Sequence, residues 1–287
     1  MTPLHVVTVG HVTNDTLADG VHPGGAALYS GLAAHALGAE VTVVTRAGPD
    51  FVGHDLLEQV DHRVVLPAPR TTAFDERYAD GRRTVRLLAR AAPLDAPLPP
   101  ADVLLLCPVA DEVPASALGV RPRRLLAAGL QGWLRNFGPD GTAAPRPRRD
   151  AEPFAGCGLV TCSSEDLAGL GPETLALLRA TVPRVVVTEG ATGARVYAGG
   201  EGYRVAALPV DEVVDPTGAG DVFLAALAIQ LARGSPLLES AAWAACAGAL
   251  TVSAPGPAAV ARLEGLGAAL ERYRRVASPP RRLRPGE

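Results

Sequence analysis

The sequence has 287 residues, 48% hydrophobic and 20% charged, with a formal net charge of −3: enough apolar material for a full core, and no basic field for nucleic acid or an anionic membrane. All 27 basic residues are arginine, so a Walker A loop, the strand lysine of protein kinases and Schiff-base chemistry are excluded. Four cysteines without C-x-x-C spacing argue against zinc or disulfide frameworks and for a reducing cytoplasm, and no apolar run approaches the roughly 20 residues of a membrane span.

The N-terminus lacks the basic start of a signal peptide and runs straight into His5–Val9, a β-branched stretch that reads as a buried strand. Gly24 and Gly25 open a small-residue helix that ends at Gly38, a suitable cap. Glu40–Thr45 is the next strand. Thr71–Arg90 breaks the alternation, with two short strands around an Asp80-Gly81 turn, and reads as an accessory lid. Val103–Leu106, Gly158–Thr161 and Arg184–Thr188 are further strands, with a helix around Thr174–Ala180 between the last two. Pro139–Pro153 reads as a Pro/Arg-rich loop, and the tail from Ser278 as disordered. After Asp215 an apolar helix over Val222–Ala232 stops at Gly234.

Strands alternating with helices predict an α/β fold, a doubly wound, mostly parallel sheet with a small β lid. The expectation is a single domain over 1–287, with lid strands from about 11–24 and 70–92 and a disordered 278–287. Ligands on such sheets sit at the carboxyl ends of strands. All six histidines lie in the first quarter, none in an H-E-x-x-H frame, and neither a G-x-S-x-G elbow nor a G-x-G-x-x-G fingerprint is present.

The strongest chemical signal is Asp215-Pro216-Thr217-Gly218-Ala219-Gly220-Asp221 at the mouth of the apolar helix. Gly218, Ala219 and Gly220 leave the backbone bare where a helix begins, so unpaired N–H groups and the helix dipole can meet one anion. A carboxylate there repels a phosphate, so Asp221 reads either as a base for a hydroxyl attacking that phosphate or as a plain helix-start acid.

This string resembles the C-terminal signature of the ribokinase-like, or PfkB-type, carbohydrate kinases, and four other stretches fall in that family's order. Gly10–Asp15 resembles the turn whose Asp holds acceptor hydroxyls, and Gly24-Gly25 the start of the helix lining the sugar site. Gly48–Gly53 resembles a G-x-D-x-x-G turn, and Thr188–Gly193 the T-x-G-x-x-G turn on the nucleotide side. The resemblance implies an ATP-dependent phosphotransferase with Asp221 as base and Gly218, Ala219 and Gly220 as anion hole. Asp15, Gly24, Gly25, Tyr29 and Arg135 would face the acceptor, and Thr188, Gly190, Gly193, Thr217, Gly218 and Gly220 the nucleotide. It also implies Mg2+, with Glu165 holding its water shell, a monovalent cation such as K+ near Asp215 and Ser253–Gly256, and a homodimer through the lid. Asp215 has a second reading, an Asx-type turn before Pro216.

Two departures bear on the substrate. Where the family carries N-x-x-E, this chain has Cys162-Ser163-Ser164-Glu165, keeping only the Glu; a thiolate is a poor ligand for Mg2+. Where ribokinases have an Asn, this chain has Tyr29, which reads either as an acceptor-facing ring that excludes ribose or as core. Gly24–Ala27, Thr72–Asp75, Leu130–Arg135 and Ser163–Glu165 resemble the inositol-kinase branch. They point to a cyclitol gripped by Asp15 and Arg135, unless Arg135 is a surface residue and Trp133 core. A sugar or nucleoside acceptor, and a sensor without turnover, are the other readings.

Overall fold

The computed structural model describes residues 2–79 and 82–284. The chain opens with β1 (His5–Val9), β2 (Thr13–Leu17) and β3 (Gly20–Gly24), then α1 (Ala26–Ala36), β4 (Glu40–Ala47), α2 (His54–Leu57) and β5 (His62–Pro67). The pair β6 (Thr72–Ala79) and β7 (Arg82–Ala89) precedes β8 (Val103–Leu106), β9 (Leu125–Gly129), β10 (Arg135–Phe137) and β11 (Ala143–Pro145). Next come β12 (Leu159–Ser163), α3 (Ser164–Leu167), α4 (Pro172–Thr181), β13 (Arg184–Thr188), β14 (Ala194–Ala198) and β15 (Glu201–Val205). The C-terminal part holds α5 (Ala219–Ala232), α6 (Leu237–Thr251), α7 (Leu266–Val276) and β16 (Arg281–Arg282).

Ten strands form one sheet in the order β16-β15-β14-β13-β12-β9-β8-β1-β4-β5, parallel from β13 through β5 and antiparallel from β13 to β16. Its central strands read as unbroken apolar runs because both faces are covered. Val6, Val41, Val43, Val103 and Leu105 bury against α1, α5 and α6. The alternate residues Val7, Val9, Val44, Leu104 and Leu106 enter a second core with Trp133, Phe154 and Leu178. The expected α/β architecture is therefore the one found. A separate four-stranded sheet, β3-β2-β6-β7, stands beside it as the lid. Among the described residues no helix is long and apolar enough to cross a membrane.

Several expectations need correction. The lid strands are eight residues each, longer than a short hairpin, and the Asp80-Gly81 turn lies outside the described residues. The 139–153 loop contains β11, paired antiparallel with β10. The tail is not disordered through Ser278–Arg284. Arg281 and Arg282 pair with Arg204 and Tyr203, Arg282 meets Glu201 at 2.6 Å, and Leu283 N donates to Gly202 O at 2.8 Å. The edge of β15 offers unpaired backbone groups, and that attraction is invisible to composition. Residues 285–287 of that tail lie outside the described residues. The sequence reading also passed over β5, β14, β15, α6 and α7.

Candidate active site

The strand order reverses at β1, with β4 on one side and β8 on the other, so the loops leaving β1 and β8 diverge and open a crevice. Glu112 ties those loops together: its carboxylate accepts from the amides of His11 (2.9 Å), Val109 (3.0 Å) and Ala110 (2.7 Å). The fully buried His11 ring joins both roots of the lid, with Nδ1 2.8 Å from Thr72 Oγ1 and Nε2 3.0 Å from Ala92 O. A carbonyl can only accept, so Nε2 carries the proton and Nδ1 accepts from the Thr72 hydroxyl. Burial pushes the imidazole pKa down, keeping the ring neutral.

The Gly48–Gly53 turn is part of the same root. Asn14 donates to Asp50 O and accepts from Val52 N, while Asp50 Oδ1 accepts from Thr71 N (2.8 Å) and Thr71 Oγ1 (2.9 Å). The Thr71 amide is the main reason the Asp50 carboxyl titrates below its usual range. In this structure the motif's carboxylate anchors a lid strand.

Among the residues expected to face the acceptor, Asp15 lies on β2 and is 8% exposed. Gly24 sits directly against it: a Cβ there would come within 2.0 Å of Asp15 Oδ2 and 2.8 Å of Thr13 Oγ1. Gly25 precedes α1 with φ 101, a conformation that favours glycine. Tyr29, one turn into α1, is 2% exposed. Its ring abuts Gly218, where a Cβ would fall 2.1 Å from Tyr29 Cδ1. Of the two readings of Tyr29, an acceptor-facing ring and core, the burial favours core: α1 packs on α5, and the ring fills the seam between them. Burial first, then the charges of Asp215, Asp15, Asp221 and Glu76, raise the phenol pKa, so Tyr29 stays protonated. One phenol thus sits in the field of carboxylates from both sides of the cleft.

The phosphate turn is held by its own backbone. Gly218 takes φ 76 as the cap of α5, with Pro216 O accepting from Ala219 N at 3.3 Å and Gly218 O from Asp221 N and Val222 N. Among the described residues no backbone carbonyl takes the Gly218 or Gly220 amide, so these two are the turn's strongest donors to an incoming anion. Asp221 stands in the first turn of α5, and Ser30 Oγ of α1 donates to its carbonyl at 3.2 Å. Asp215 makes the Asx-type turn: Oδ1 accepts from Thr217 N and Oδ2 from Gly256 N, both at 2.9 Å. These bonds pin the 253–256 segment to the turn and use one lone pair on each oxygen.

The residues expected on the donor side lie at the ends of β12 and β13. Thr188 Oγ1 donates to Cys162 O at 3.4 Å, and Gly190 and Gly193 carry φ 55 and 98. Glu189, between Thr188 and Gly190, is clamped by Arg195 and Arg204, each at 2.7 Å. Cys162 points into the second core, where burial pushes its thiol pKa far up, so it holds no metal as thiolate. Glu165 is exposed on the first turn of α3. Ser163 caps that helix in a box with Asp166, and Asp166 also accepts from Arg135 at 2.9 Å. The expectation of Arg135 as a direct grip on the acceptor is thus qualified: its guanidinium is tethered to the α3 cap. Trp133 donates to Val113 O and packs on Phe154, which makes it core. Among the described residues no three His, Cys, Asp or Glu side chains gather as a metal cage.

Sequence reasoning passed over Glu76, Thr13, Val213 and Val214. Glu76 carries a signal, a charge at the inward position of the Thr72–Phe74–Glu76 alternation. Val213 and Val214 are 53% and 50% exposed immediately before Asp215.

The pfkB family carbohydrate kinase model matches residues 158–262. The inositol 3-kinase of Oryza sativa subsp. japonica is 34% identical over 86% of this chain and 65% of its own length. The bifunctional protein HldE of Azorhizobium caulinodans is 32% identical over 92% of this chain and 59% of its own. The chain therefore spans less than two thirds of the length of these relatives. Among solved structures, a pyrophosphate-dependent kinase in the ribokinase family complexed with a pyrophosphate analog and myo-inositol superposes with TM-score 0.78 at 21% identity, covering 91% of this chain and 99% of that one. The ribokinase of Arabidopsis thaliana with ribose and ATP gives TM-score 0.70 at 19% identity, covering 94% and 99%.

Proposed function

Because the chain belongs to the pfkB carbohydrate kinase family, we propose that it transfers the γ-phosphoryl group of ATP to a hydroxyl of a small polyol, a cyclitol such as myo-inositol. The carrying observation is the Gly218–Asp221 helix opening, which packs through Gly218 on the Tyr29 ring, a phenol that feels the charges of both Asp15 and Asp221. The inositol 3-kinases among the relatives support the cyclitol over other acceptors.

In this reading Asp15 orients the acceptor, and Asp221 takes the proton of the attacking hydroxyl. The Gly218 and Gly220 amides, with the α5 dipole, hold the charge that builds on the transferring phosphoryl group. Thr188, Gly190, Gly193 and Thr217 border the nucleotide. Mg2+, when bound, neutralises phosphate charge; it prefers water, phosphate oxygens and few carboxylates, so exposed Glu165 suits its water shell. Asp215 retains lone pairs for a cation such as K+ and otherwise fastens the turn. A nucleotide is favoured over pyrophosphate as donor by Val213 and Val214, exposed apolar surface beside the phosphate turn on which a base can rest. Free, buried cysteines among the described residues suit a reducing cytoplasm. A homodimer through the lid is supported by Val21 and Leu88, each about half exposed on lid strands.

The test is a grid of donors (ATP, pyrophosphate) and acceptors (myo-inositol, other cyclitols, ribose, fructose, nucleosides), read as phosphorylated product. ATP-dependent turnover highest with a cyclitol supports the reading. Turnover with pyrophosphate alone overturns the donor, and ribose ranking first overturns the acceptor. Thermal stabilisation by ligands without product would mean a sensor.

A further inference from the structure

We infer that His11 is a positioning residue that sets how the lid stands over the acceptor, an inference that rests on the kinase reading above. The chain passes four times between the main sheet and the lid strands β2, β3, β6 and β7, and all four passages meet at this residue. The first is His11 itself, two residues before β2. Its amide is held by Glu112 at 2.9 Å, and the next amide, of Val12, by Thr45 Oγ1 at 2.8 Å. The second is Gly25, just past β3, where a Cβ would fall 2.4 Å from the His11 carbonyl oxygen and 2.8 Å from Val12 Cα. The third is Thr72, the first residue of β6, whose hydroxyl donates to Nδ1 of the ring. The fourth is Ala92, after β7, whose carbonyl accepts from Nε2.

A neutral imidazole has one donor and one acceptor, and here both are used, each on a different root of the lid. The Thr72 hydroxyl is engaged twice as well. It gives its single proton to Nδ1 and accepts from Ala91 N at 3.0 Å, which joins the start of β6 to the chain leaving β7 a second time. On the other side Glu112, 2% exposed, fixes His11 to the loops that line the crevice. His11, Thr45 and Thr72 are 0% exposed, so water cannot replace a bond that is lost among them. Thr13 pairs with Thr72 in parallel register, and Asp15 follows on the same strand. A shift at His11 therefore moves the carboxylate expected to orient the acceptor together with the lid, and a misplacement of about 1 Å can lower a rate by roughly 100-fold.

The experiment compares Thr72→Val, which keeps the shape and removes the hydroxyl, with Thr72→Ser, which retains it, and with His11→Leu, which releases both roots. Acceptor KM, kcat, donor KM and melting temperature are measured on the donor–acceptor pair with the highest turnover in the grid above. Thr72→Val is expected to raise acceptor KM about 10-fold while donor KM moves less than about twofold, with Thr72→Ser within about threefold of the unmodified protein. His11→Leu should show the same split, larger. Leu178→Ala, a buried change in the second core, should lower the melting temperature and leave acceptor KM where it was. If Thr72→Val or His11→Leu does not fold, Thr72→Cys, a weak donor of similar size, supplies the comparison. Acceptor KM unchanged in the variants that fold, or donor KM rising in parallel with it as the melting temperature falls, overturns the assignment alone. Absence of acceptor-dependent turnover in the unmodified protein overturns the kinase reading and the assignment with it.

Discussion

The turn read as the phosphate site and the cleft read as the acceptor site are built from different materials. Residues 215–221 offer backbone: two glycine amides, a left-handed Gly218 and a helix dipole, all within seven consecutive positions. The proposed acceptor side draws on side chains from distant segments, with Asp15 on β2 and Arg135 on β10, and rests on Tyr29 of α1 as packing. A phosphate has one shape and one charge, so a fixed local cradle suffices. A polyol is defined by where its hydroxyls point, and only side chains gathered by tertiary packing can match that pattern.

This contrast gives predictions that can break it. The largest effect belongs to Asp221→Asn, which should cut turnover by about 10²–10⁴ with nucleotide affinity retained; near-normal kcat would remove Asp221 from the mechanism. Tyr29→Asn should cost about 3 kcal/mol of stability, since the ring fills a buried seam, and calorimetry against Tyr29→Phe reads it. The same phenol yields a pH test. Its folded pKa lies above the unfolded value of about 10, so its contribution is complete below about pH 10 and lost progressively as pH rises above it. Tyr29→Phe should flatten that alkaline loss, and an unchanged alkaline melt would place the phenol in water.

Asp15→Ala should raise acceptor KM by about 10-fold or more and spare donor affinity. A fall in donor affinity with acceptor KM unchanged would invert the two ends of the cleft. The smallest effect concerns the thiols. Cys107, Cys157, Cys162 and Cys246 are buried, and burial raises each thiol pKa, with Cys157 and Cys246 pushed up to about 12. Native protein treated with iodoacetamide should therefore keep its full activity, with labelling appearing only on unfolding.

The sequence by itself determined what depends on neighbours along the chain. The apolar run Val103–Leu106 is a strand with the expected bounds, and α5 follows the Gly218–Gly220 opening because that run of small residues bares a helix start. The doubly wound sheet follows from alternation of such runs. Tertiary structure decided what depends on who comes to lie beside whom. Tyr29 is a seam residue because α5 brings Gly218 against it, and Arg135 is tethered because β10 runs beside the α3 cap holding Asp166. The Gly48–Gly53 turn serves the lid root because Thr71 and Asn14 reach Asp50 and its neighbours. Arg281–Arg282 is a strand because β15 leaves an open edge. In each case a side chain or backbone group satisfies its hydrogen bond or fills its volume with atoms many residues away, and periodicity carries no record of that distance.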